Sequence, residues 1–293
     1  MAGIPGGVGI WSGWLRYGPA QEAAPAAAGL EALGYSALWL PDVGGELFAA
    51  LENALGATTD VTVATGIMNL WMHTAVDAGA EYARLVAEYG DRLLMGIGVS
   101  HGPFIEMMQP GNYDKPLART AEYLDALDSS DPTIPPDRRM LAALGPKMLA
   151  LAGSRTAGTH LYNTWPEHTA AARDALGPDG LVMPEQAVVL ETDPARARAI
   201  ARQFLATYLA LPNYANNWFR FGFTPEDTEH GGSDALVDAI VAWGDLDALR
   251  TRVQAQFDAG ADHVCIQVLT DEALAGPMDV WSELAPALTS LGR

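Results

Sequence analysis

Short apolar runs rich in Val, Ile, Leu and Trp alternate along this chain with longer segments in which apolar positions recur every third or fourth residue. The first kind predicts strands at 8–11, 35–40, 61–68, 92–97, 138–143, 160–163, 187–190 and 263–268. The second predicts helices at 19–33, 46–57, 75–89, 117–127, 146–157, 166–176, 194–211, 246–259 and 278–291. Gly34 and Gly90 stand where a C-terminal glycine closes a helix, and Pro166 and Pro194 where a first-turn proline is tolerated. Residues 102–116 read as a loop and 131–137 as a proline-rich connector.

Strands separated by helices imply right-handed βαβ units and a parallel sheet. Eight of them favour closure into an α/β (β/α)8 barrel over an open doubly wound sheet, and the first βα turn, Trp11-Ser12-Gly13-Trp14, lacks a dinucleotide-type glycine spacing. A single domain over 1–293 is expected, with an insertion near residues 212–245, where the period breaks, lying over the barrel mouth.

Hydrophobic residues make up 49% of the 293 positions, enough for a large core, with no apolar stretch of membrane-spanning length. The net charge of -19, with Lys115 and Lys147 as the two lysines, excludes nucleic acid and anionic membranes as natural partners. An anionic ligand must therefore be held by backbone N–H groups, helix N-termini and a few local cations. Cys265 is the one cysteine, which fits a reducing cytoplasm, and the first nine residues carry no signal-peptide pattern. No Cys or carboxylate supplies metal-ligand spacing around His73 and His101, so no catalytic metal is expected.

In a barrel of this kind, chemistry belongs at the carboxyl ends of the strands. Those ends read Trp39-Leu40-Pro41-Asp42, Thr65-Gly66-Ile67-Met68-Asn69, Gly98-Val99-Ser100-His101 and Ala143-Leu144-Gly145-Pro146-Lys147. With Pro184 to Leu190 and the segment from Gly260 into the last strand, they make the chain similar to the luciferase-like monooxygenase superfamily, and within it to the branch that uses coenzyme F420.

The resemblance implies a non-prolyl cis peptide at Gly66-Ile67 behind a deazaflavin ring, with Asn69 at the ring's pyrimidine-like edge and Gly98, Val99 and Ser100 beside the cofactor. The bland reading of Gly66 is a bulge, and of Asn69 a turn. Gly145, Pro146 and Lys147 open a helix whose free N–H groups and dipole suit a phosphate, with Arg155 and His160 as further cation candidates. Asp42 is a candidate base, ring partner or turn cap; the histidine that follows it in several deazaflavin dehydrogenases is replaced here by Val43. His101 is the first candidate proton donor and Asp42 the second.

Trp11, Trp14, Trp71, Tyr162 and Trp165 fall at or just after strand ends and are candidates to line an apolar substrate pocket, with His168 and Glu185 as polar groups in it. Each is also an ordinary core aromatic or buried polar residue. The leading expectation is a cytoplasmic, F420-dependent oxidoreductase acting on a small organic substrate, with a homodimer expected from related barrels. One alternative uses reduced FMN and oxygen in the same barrel. Another is a ligand-binding barrel without catalysis.

Overall fold

The computed structural model describes residues 4–108, 111, 113–272 and 276–292. Among the described residues there are ten strands: β1 Gly7–Trp11, β2 Ala37–Leu40, β3 Thr62–Thr65, β4 Met68–Asn69, β5 Leu93–Gly98, β6 Arg139–Ala142, β7 Gly158–Leu161, β8 Leu181–Leu190, β9 Val241–Gly244 and β10 His263–Val268. All pairings are parallel, and β10 bonds to both β8 and β1. The sheet therefore closes into the expected (β/α)8 barrel, in the order β1-β2-β3-β5-β6-β7-β8-β10. β4 continues β3 past the Gly66–Ile67 bond and pairs with β5.

Alternation sorts the strand residues into two cores. Ile10, Leu38, Val63, Met95, Leu141, Val264 and Ile266 face the helices. Ala37, Trp39, Ala64, Leu94, Met140, Met183 and Cys265 fill the barrel interior. The helices start where side chains satisfy their first N–H groups. Thr74 accepts from the Asp77 N–H ahead of Ala75–Tyr89, and Asp193 accepts from the Ala195 and Arg196 N–H groups ahead of Pro194–Leu205.

Several expected boundaries move. The strand read as 61–68 is interrupted at Gly66–Ile67, a cis peptide bond. β7 begins at Gly158, because a Cβ there would lie 1.9 Å from the Leu181 carbonyl oxygen and only glycine lets the strands approach so closely. β8 starts six residues before the expected 187, running through Pro184. That proline falls where β8 exchanges neighbours: its first half pairs with β7 and residues 187–190 with β9, so the missing N–H interrupts no single ladder.

The insertion is more regular than its composition suggested. It holds the helices Pro212–Arg220 and Asp234–Ile240 and the strand β9, a four-residue run too short to stand out by periodicity. Gly102–Met108 is helical rather than loop, and Gly13–Tyr17 is a short helix capped by Ser12. The helix expected to reach 211 ends at Leu205. None of the described helices is long and apolar enough to cross a membrane.

Candidate active site

At the level where the barrel opens, the inward positions are Trp11 on β1, Gly66 after β3, Gly98 on β5, and Tyr162, Glu185 and Gln267 at the ends of β7, β8 and β10. One half of the ring is thus floored by glycine and the other walled by bulky side chains. Gly66, Ile67, Ala142, Leu144, Tyr162 and Gln267 are half-buried although they sit at strand ends inside the barrel, so the mouth is open above them.

The glycine half is built by close approach. A Cβ on Gly96 would meet the Thr65 carbonyl oxygen at 2.1 Å, and one on Gly98 would meet Ile67 Cδ1 at 2.6 Å, so these two glycines let the chain around Gly66–Ile67 lie against β5. The Trp11 indole N–H donates to the Gly66 carbonyl at 3.0 Å. Beyond the bulge, the buried Asn69 accepts from the Trp71 N–H through Oδ1, while its Nδ2 has no hydrogen-bond partner.

Asp42 is buried and held by three donors. Its side chain has no exposure and accepts from His73 Nε2 at 2.9 Å and from the backbone N–H groups of Asn69 at 3.0 Å and Gly44 at 3.2 Å. Burial opposes its charge, but these donors win and hold the carboxyl below its ordinary range. Through these bonds Asp42 ties the end of β2 to Asn69 and the loop after β4.

His101 stands at the mouth with its ring 5.3 Å from that of Tyr214, on the insertion helix Pro212–Arg220. Burial lowers its pKa, with the Asn213 side chain opposing, and its Nδ1 has no hydrogen-bond partner. Ser100 before it takes a left-handed backbone, φ 53°, and the Val99 carbonyl accepts from the Trp71 indole at 2.9 Å.

Gly145 caps the helix Pro146–Arg155, and Lys147 is exposed in its first turn. A Cβ on Gly145 would lie 3.0 Å from Arg220 Nη1, so a guanidinium 75 residues away in the chain flanks this helix end. Arg220 also donates to the Leu144 carbonyl at 2.9 Å. Its position at the end of an insertion helix left no local signal for this role.

Two expected cations are elsewhere. Arg155 is at the opposite end of the helix, paired with Asp125 and Asp128 at 2.8 Å. His160 lies inside the barrel, its ring stacked on Trp39 at 4.4 Å and Nδ1 donating to the Met183 carbonyl at 2.9 Å. Burial pushes its pKa down to about 4, so it is a neutral imidazole beneath Gly66 and no phosphate partner.

Of the expected pocket aromatics, Trp11 and Tyr162 meet at the mouth, ring centroids 5.3 Å apart. Trp11, Trp14, Phe204 and Gln267 line a cavity of about 120 Å³ beside it. Trp71 leans outward under Arg119, and Trp165 is buried against Phe221 and Phe223, so these two anchor a loop and the insertion respectively. His168 is also structural in part: buried, its pKa lowered to about 4 by that burial, it bonds to the Leu144 carbonyl at 3.2 Å. A larger cleft of about 390 Å³, lined by Glu191, Arg196 and Asp271, contains none of the candidate residues.

The luciferase-like monooxygenase family model matches residues 9–263, and the chain belongs to that family. A Mycobacterium tuberculosis protein named provisionally as a coenzyme F420-dependent oxidoreductase is 24% identical, over 86% of this chain and 92% of its own length. Among solved structures, the coenzyme F420-dependent tetrahydromethanopterin reductase of Methanopyrus kandleri superposes with a TM-score of 0.77 at 15% identity, over 99% of this chain and 100% of that one. An F420-dependent secondary alcohol dehydrogenase in complex with an F420–acetone adduct does so with a TM-score of 0.75 at 16% identity, over 97% and 99%. At such identities the superpositions establish the fold.

Proposed function

We propose that this chain is an F420-dependent oxidoreductase that moves a hydride between C5 of the deazaflavin and a small, uncharged or aromatic organic substrate. The observation that carries the reading is the mouth position at Gly66 and Ile67, which stay half-buried beside the Trp11 indole although they lie at a strand end inside the barrel. We read this place as the seat of the planar ring. The unpartnered, buried Nδ2 of Asn69 suits a carbonyl on its edge, and Arg220, Lys147 and the helix end at Gly145 suit a phosphate. The relatives named for F420 support the same coenzyme.

When bound, the deazaflavin supplies two-electron hydride chemistry at a carbon, in place of the flavin nitrogen that reacts with oxygen. The chain supplies position. Gly66, Ile67, Gly98, Val99 and Ser100 support the ring and its side chain, while Trp11, Trp14 and Tyr162 bound the substrate and exclude water. His101, neutral and with Nδ1 unpartnered, is the proposed proton-transferring group at the mouth.

Equilibrium dialysis of the purified protein against F420 and, separately, FMN tests the reading. Micromolar or tighter F420 binding with negligible FMN binding supports it. The reverse result, with oxygen uptake dependent on reduced FMN, replaces it with the monooxygenase reading, and binding of neither coenzyme overturns both.

A further inference from the structure

Glu185 is the acidic side chain at the inward mouth position of β8, with 1% of its surface exposed. Its Oε2 accepts from the Asn163 N–H at 3.3 Å, while its Oε1 is buried without a hydrogen-bond partner. The groups that feel its charge are the hydroxyls of Tyr162, Tyr208 and Tyr214 and the thiol of Cys265. Among the described residues no guanidinium or ammonium acts on it. The tyrosines are already committed to one another: Tyr162 donates to Gln267 Oε1 at 2.9 Å and lies 3.0 Å from the Tyr208 oxygen, and the rings of Tyr208 and Tyr214 meet edge to face at 5.3 Å.

We propose that Glu185 is the substrate-recognition residue of this mouth, its carboxylic acid donating from Oε1 to the carbonyl oxygen of a neutral, planar ligand seated among Trp11, Tyr162 and Tyr214. The inference rests on the reading of the mouth as a substrate site and narrows that site's substrate class. With Oε2 taken by a backbone N–H, the acid proton belongs on Oε1, which leaves a buried donor lacking an acceptor. A carbonyl supplies one. A carboxylate or phosphate ligand would bring an uncompensated negative charge to a buried pocket in which no cation among the described residues acts on Glu185, and is disfavoured. Polarising that carbonyl is also what hydride arrival at its carbon requires.

Burial pushes the Glu185 pKa up to about 8, the Asn163 N–H partly opposing. The facing groups do not confuse its titration. Tyr162, Tyr214 and Cys265 are raised well above their ordinary values and Tyr208 to about 12, each chiefly by burial. His101, its ring 5.3 Å from that of Tyr214, has its pKa lowered by burial, with the Asn213 side chain opposing.

The experiment measures binding of acetophenone, ethylbenzene and benzylammonium by tryptophan quenching, with and without saturating oxidised F420, between pH 6 and pH 9.5. The wild type is expected to prefer acetophenone to ethylbenzene by about tenfold, and to lose that preference as the pH rises through about 8. Glu185→Gln keeps a donor, so the preference survives but no longer depends on pH. Glu185→Leu abolishes it at every pH, with circular dichroism melts confirming that both variants fold. A preference intact in the leucine variant, absent from the wild type in both coenzyme states, or replaced by benzylammonium binding that tightens with pH overturns the proposal. F420 binding is scored separately, so the coenzyme reading stands or falls on its own.

Discussion

His73 Nε2 lies 2.9 Å from the buried Oδ2 of Asp42, and the same oxygen accepts the Asn69 N–H at 3.0 Å. One carboxylate thereby joins the end of β2 to the loop that follows the Gly66–Ile67 bulge. Asp42→Ala strands these donors in a buried place and is expected to cost about 1–3 kcal/mol by urea denaturation. Because the folded carboxyl sits below its ordinary value of 3.8, its contribution is present above that pH and is lost as the pH falls through the lower folded value. The stability gap between wild type and variant should therefore be full at pH 6 and close in strong acid.

Glu185 has the opposite sign. Its folded pKa is raised from 4.5 to about 8, so the folded state keeps a proton that the unfolded chain releases. Stability is full below the unfolded value and declines as the pH rises to about 8. Glu185→Gln removes this penalty and is expected to melt higher than wild type at pH 8.5 by several degrees, with little difference at pH 4.5. Parallel melts at the two pH values check it.

Gly96→Ala sets a methyl group 2.1 Å from the Thr65 carbonyl oxygen, a backbone atom with no rotamer to change. Gly98→Ala meets side-chain atoms, Ile67 Cδ1 at 2.6 Å, Ile67 Cγ1 at 2.8 Å and Ala142 Cβ at 3.1 Å, which can give more readily than a backbone carbonyl. The first substitution is expected to cost about 3 kcal/mol or more and the second about 1 kcal/mol, the upper and lower ends of the overpacking range. Denaturation midpoints of the two variants rank them, and equal costs would mean that β5 and the bulge are not in rigid contact.

Arg220→Ala removes the guanidinium beside Gly145 while leaving the helix end in place. Coenzyme affinity is expected to fall about tenfold, and its salt dependence to weaken, as for the loss of one charge-assisted phosphate contact. Dialysis at low and high ionic strength measures both. Unchanged affinity would move the phosphate away from this helix.

Trp165→Ala empties a buried site against Phe221 and Phe223 and should cost about 3–5 kcal/mol. Protease cleavage near residues 212–240 is expected to accelerate in this variant, since Trp165 is the pin on which the insertion sits. Cleavage elsewhere first would contradict that role.

Local chemistry was enough for the barrel, because alternation, helix-closing glycines and first-turn prolines are each properties of a few neighbouring residues. It was also enough to mark the strand ends at Gly66, Gly98 and Gly145, where small residues interrupt apolar runs. It failed where pairing partners lie far apart in the chain. The start of β8 at Leu181 depends on β7 and β9 dividing its edge around Pro184, and Gly158 belongs in a strand because of Leu181 across from it. Side-chain roles followed the same rule. Asp42 reads as an available carboxylate until His73, 31 residues on, closes it, and His160 reads as a cation until Trp39 and the barrel interior strip its water. Charge state and access are set by burial and by distant donors, and neither is written in the residues beside a side chain.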